Sequence, residues 1–132
     1  MHDAISILIV DGDAHNLMTL SALLKTLEIG FKRNTTGVKV VEQARAMYPR
    51  LDAILINVSL PDADAFALCR ALKTDSVLAA LPLIAIADTL TDELREKVRR
   101  AGFAGLVVRP IPRRQFASYL RRIISGERSN GV

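Results

Sequence analysis

Three acidic side chains, one amide and one arginine stand where short apolar runs end. Asp11 and Asp13 follow the run at residues 5–10, Asn57 lies near the end of 53–58, Asp88 follows Ala87, and Arg109 follows 106–108. Two chemistries compete for Asp11. With oxygens from Asp13 or Asn57 it could ligate a hard divalent cation; alternatively it could neutralise Arg109, whose planar fork suits a bidentate bond to a carboxylate. The pairing with Arg109 is the expected outcome, which leaves Asp11 and Asp13 as weak metal candidates. Asp13 sits just ahead of an apolar helical stripe, where aspartate most often caps the helix. Asp88, with Thr91, Asp92 and Glu93, is expected to cap and favour the first turn of the next helix, and Asp62 and Asp64 read as loop acids. His2 and His15 have no cysteine or second histidine at zinc-ligand spacing. Cys69, on a Phe66, Cys69, Leu72 stripe, reads as a small buried apolar residue. A glycine-rich phosphate loop is absent, and so is any Ser/His/Asp or Cys/His arrangement.

The elements that must position these residues alternate along the chain. Residues 5–10, 53–58, 83–87 and 106–108 are apolar throughout, as strands covered on both faces are. A polar edge strand is expected at 31–35. Between the runs apolar residues recur at helical spacing: Leu17, Leu20, Leu24 and Leu27; a weaker set of Val38, Val41 and Met47; Phe66, Cys69 and Leu72; Leu94, Val98 and Ala101; Phe116, Leu120 and Ile123. Pro49, Pro61 and Pro82 fall at joints, Gly102 and Gly105 bracket the turn before the last strand, and Pro112 opens the last helix. Five strand-helix repeats predict an α/β, doubly wound parallel sheet with right-handed crossovers. In such sheets ligands bind outside the carboxyl ends of the strands, where Asp11, Asp13, Asn57, Ala87, Asp88 and Arg109 all fall.

The chain has 132 residues, 50% of them hydrophobic, and a mean hydropathy of +0.24. One compact domain is expected over residues 1–125, with 126–132 as a tail or linker start. The longest largely apolar stretch, 77–87, is broken by Pro82 and falls short of the about 18 residues a membrane span needs. The first ten residues lack a basic region and a cleavage site, so a cytoplasmic location is expected, which the lone cysteine permits. A net charge of +4 invites a nucleic-acid reading, but four Phe, two Tyr and no Trp are poor material for base stacking. That charge is also uneven. Residues 1–94 hold 8 basic and 12 acidic residues, whereas 95–132 hold 10 basic and 2 acidic.

The motifs Ile7-Leu8-Ile9-Val10-Asp11, Ile54-Leu55-Ile56-Asn57, Leu60-Pro61-Asp62-Ala63-Asp64, Pro82-Leu83-Ile84 and Arg109-Pro110-Ile111, in this order, resemble response-regulator receiver domains of two-component signalling. The resemblance covers about residues 4 to 125. It implies the CheY-like, flavodoxin-like (βα)5 fold with strand order 2-1-3-4-5. In that family a histidine kinase passes a phosphoryl group to an aspartate at the end of the third strand. An acidic pair after the first strand and that aspartate hold Mg²⁺, a Thr or Ser after the fourth strand follows the phosphoryl group, and a Lys before Pro pairs with it. Carried over residue by residue, the phosphoacceptor position is Asn57, the second acid is Gly12, the hydroxyl position is Ala87 and the lysine position is Arg109. Only Asp11 of those five matches. Leu106 replaces the aromatic that often accompanies the hydroxyl.

The expected function is therefore a phosphorylation-independent pseudo-receiver, a protein-interaction module with no enzymatic activity, no cofactor and weak or absent Mg²⁺ binding. Asp11, Asn57 and Arg109 are expected to form a metal-free polar network. The resemblance implies an interaction face on the fourth helix, fifth strand and fifth helix, with Arg95, Arg99, Leu106, Arg113, Tyr119 and Arg121 as its residues. An acidic protein partner or a homodimer would use that face. The alternatives are a conventional phosphoacceptor on a non-standard residue and a nucleic-acid-binding regulator using the basic C-terminal region.

Overall fold

The computed structural model describes residues 4–127; the proposed tail lies mostly outside the described residues. Five strands and five helices alternate: β1 (Ser6–Val10), α1 (Ala14–Thr26), β2 (Gly30–Asn34), α2 (Val40–Met47), β3 (Ala53–Asn57), α3 (Ala65–Thr74), β4 (Leu83–Ala87), α4 (Asp92–Ala101), β5 (Gly105–Val108) and α5 (Arg113–Ile124). All strands are parallel, in the order β2-β1-β3-β4-β5. The sheet is the expected one, with β2 shifted by one residue because Gly30 pairs with Ser6.

Side-chain alternation divides each apolar run between two cores. Ile7 and Ile9 of β1, Leu55 of β3, Ile84 and Ile86 of β4 and Val107 of β5 pack with Leu17, Leu20 and Leu24 of α1 and Phe116, Tyr119 and Leu120 of α5. Leu8, Val10, Ile54, Ile56, Leu83, Ala85 and Leu106 pack on the opposite face with Val40, Phe66, Cys69, Leu72 and Val98 of α2, α3 and α4. Burying a side chain of this size contributes about 1.5–3 kcal/mol, so the runs are held by both layers at once. Only β2, at the edge, is polar and largely exposed.

Helix starts follow local chemistry. Asp13, Asp64 and Thr91 accept backbone N–H bonds from Asn16, from Phe66 and Ala67, and from Leu94 respectively. Asp64 is thus a cap of α3, beyond the loop acid expected, and its two backbone donors hold its carboxyl below the usual range. Burial pushes the Cys69 thiol up to about 11. That thiol donates to the Ala101 carbonyl at 3.3 Å, which suits a packing role.

Candidate functional site

The carboxyl ends of β1, β3, β4 and β5 bring Asp11, Asn57, Ala87 and Arg109 to one rim of the sheet. Asp11 is 1% exposed and Asn57 5%. Asp11 Oδ1 accepts from the Asp13 backbone N–H at 2.9 Å and from Asn57 Nδ2 at 3.0 Å, while Oδ2 accepts from Arg109 Nη2 at 2.6 Å. Asn57 Oδ1 in turn accepts from the Ser59 N–H at 2.9 Å. The amide therefore points its donor at the carboxylate and its acceptor at the following loop, an orientation a second carboxylate could not reproduce.

Arg109 does not clamp Asp11 with both arms. Its other terminal nitrogen, Nη1, donates to Asp88 Oδ1 at 3.1 Å. This corrects the capping role expected of Asp88: Thr91 caps α4, and Asp88 is a second, exposed partner of the guanidinium. The arginine thus bridges the ends of β1 and β4 from the end of β5. Ala87 is buried, with only a methyl group at its position.

Gly12 is confined. A Cβ there would lie 2.7 and 2.9 Å from Pro61 Cδ and Cγ, so the loop after β3 covers the position. Asp13 directs its carboxylate to the first turn of α1. No group of three or more His, Cys, Asp or Glu among the described residues could hold a metal ion. Mg²⁺ needs several oxygen ligands in octahedral geometry. Asp11, the one buried carboxylate among the described residues, has donors on both oxygens and a guanidinium in contact, so the residues do not fit the ion.

The family model for the response regulator receiver domain matches residues 7–121. The chain belongs to that family. It is 26% identical over 106 residues to the polar-differentiation response regulator DivK of Brucella ovis, covering 80% of this chain and 85% of that one. It is also 26% identical over 123 residues to the signal transduction histidine-protein kinase BarA of Escherichia coli, covering 93% of this chain but 13% of that much longer protein. The receiver domain of the sensor histidine kinase PA1611 from Pseudomonas aeruginosa superposes with a TM-score of 0.82 at 25% identity, over 94% of this chain and all of that one; that receiver coordinates a magnesium ion in its active-site cleft. CheY-like, doubly wound architecture is thus established for this receiver.

On the face formed by α4, β5 and α5, two expected docking residues are interior. Leu106 is 1% exposed and Tyr119 0%, which removes both from that surface. The Leu106 N–H donates to the Tyr119 hydroxyl at 2.9 Å, and that hydroxyl donates to the Leu106 carbonyl at 3.3 Å. Gly105 makes room, because a Cβ there would overlap the hydroxyl. Tyr119 is therefore a tie between α5 and the edge of β5; its place three residues after Phe116 is the signal that could have found it. Arg113 and Arg121 are exposed, Arg95 is half-buried, and Arg99 is bound to Glu96 together with Arg100.

Proposed function

We propose that this receiver acts without phosphorylation, as a protein-interaction module of two-component signalling whose pocket is held in one state by its own arginine. The observation that carries the reading is the occupancy of Asp11: both oxygens are engaged, by Arg109 on one side and by Asn57 and the Asp13 N–H on the other. Asn57 stands at the position the resemblance assigns to the phosphoacceptor. Its amide nitrogen lone pair is delocalised and its oxygen carries no full charge, so it is no nucleophile for a phosphoryl group. Autophosphatase chemistry has nothing to act on, and Mg²⁺ binding is weak or absent. The guanidinium supplies next to Asp11 the positive charge a metal would otherwise bring.

Output then depends on partner occupancy, in the cytoplasm. The exposed Arg113, Arg114, Arg121 and Arg122 favour an acidic protein partner, and a homodimer through the same face is the second arrangement this surface allows. Incubation with acetyl phosphate and Mg²⁺ followed by intact mass measurement tests the reading. An unchanged mass is expected; a stable phosphoryl adduct overturns it. DNA binding with a steep salt dependence would instead favour the nucleic-acid alternative.

A further inference from the structure

Helices α1 and α5 cover the same face of the sheet, and each starts just beyond the carboxyl end of its strand. Between α1 and the connection from β5 to α5 runs a cleft of about 790 Å³, a volume typical of small-molecule sites. Its accessible walls are apolar: Met18 and Ala22 of α1 and Pro110 are exposed, Ile111 is half-buried, and Leu23 lies behind them. Met18, at 70%, is the most exposed large apolar side chain among the described residues. The polar groups gather toward one end. His15 and Asn16 open α1 and Arg113 opens α5, so all three lie near the carboxyl edge of the sheet. Leu23 is seven residues farther along α1 than Asn16, about 10 Å at 1.5 Å per residue.

The charge of this lining has one sign. No Asp or Glu contributes to it, α1 contains none, and residues 109–126 contain none. The cleft between α3 and α4 differs, because Glu93 and Glu96 line it beside its cations. Asp13, which precedes α1, is turned to the Asn16 N–H. Two arginines line the cleft between α1 and the β5–α5 connection, and they are in different states. Arg109 has both terminal nitrogens committed, to Asp11 and to Asp88. Arg113 is exposed and forms no ion pair among the described residues.

We propose that this cleft binds a soluble small molecule made of an apolar body and one carboxylate. The guanidinium of Arg113 suits a bidentate bond to the carboxylate. The apolar body would run from there along α1, covering Met18, Ala22 and Ile111 and releasing the water on them. Met18 is unbranched and adapts to the shape of what it covers. A single unpaired arginine in the lining, among the described residues, matches one carboxylate and not a run of them. The site shares Arg109 with the rim but needs no phosphoryl group or metal there, so it stands apart from the reading of the pocket at Asp11.

NMR titration of the full chain with decanoate, kept below its micelle concentration, tests the site. The amide resonances of Ala22, Leu23 and Ile111 are expected to shift together to saturation. Octanoate, two methylenes shorter, should bind roughly tenfold more weakly. R113Q should weaken decanoate about tenfold or more, whereas R121Q, on α5 outside the cleft, should leave the affinity unchanged. A22D puts a carboxylate on the exposed wall and should abolish binding while the thermal midpoint stays near that of wild type. Shifts that do not saturate, equal affinity for decanol and decanoate, equal weakening by R121Q and R113Q, or wild-type affinity in A22D overturns the proposal. So does binding to phosphatidylglycerol vesicles without a response to decanoate.

Discussion

The rim at Asp11 and the edge at Ser21 hold similar ingredients in opposite states. At the rim, a carboxylate, an amide and an arginine satisfy one another, with a second acid, Asp88, on the free arm of the arginine. At the edge, the Ser21 hydroxyl lacks a partner, and a depression beside it is lined by cations and no acid. A buried polar group must be bonded by something. The chain itself does this at the rim, which leaves little for a ligand to add. At the edge no partner meets the hydroxyl, and it remains a cost to the fold.

Breaking the rim should therefore cost stability in a way that breaking the edge does not. R109A leaves the Asp11 carboxylate buried without its cation and is expected to destabilise by about 3 kcal/mol, read by urea denaturation. N57D places a second carboxylate beside Asp11, roughly 3 kcal/mol of repulsion at about 5 Å and an effective dielectric near 20. One of the two carboxyls then has a folded-state pKa above its unfolded value. Its folded form binds the extra proton, so N57D should lose stability relative to wild type as pH rises from about 4 to neutrality. G12A, forced against Pro61, is expected to cost about 1–3 kcal/mol. D88N cuts only the exposed arm of Arg109 and should cost less than about 1 kcal/mol; a loss as large as that of R109A would mean that the bridge, not the buried pair, holds the rim. The smallest effect lies elsewhere on the surface. Bonds from Arg99 and Arg100 hold the Glu96 carboxyl down to about 2, so its contribution persists above the usual carboxylate range and is lost as pH falls toward that value, which an NMR titration of the side chain checks.

The layers of the fold were legible because β1, β3 and β4 are covered on both faces and carry uninterrupted apolar runs. β2 was less so: a polar edge strand has no pattern to fix its register, which is set by the pairing of Ser6 with Gly30. Asp11 and Arg109 could be matched by charge and strand position although 98 residues separate them. Asp88 was misread because the sequence rule for caps is local, and Thr91 fills that role while the arginine arrives from another strand. Tyr119 shares the inward stripe with Phe116 and Ile123, but its tie to Leu106 depends on a glycine at the start of β5 that only the packing explains. Ser21 likewise falls four residues after Leu17 and three before Leu24, on the inward side of α1. What spacing could not tell is that no acceptor would meet it there.

Calorimetric titration of the wild-type protein with Mg²⁺ into the millimolar range addresses the rim most directly. With both Asp11 oxygens engaged and Arg109 in contact, no saturable heat is predicted, and the amide resonances of Asp13 and Ser59 should stay in place in a parallel NMR titration. A one-site isotherm accompanied by movement of those two resonances would contradict the account, because the ion would then be displacing the arginine.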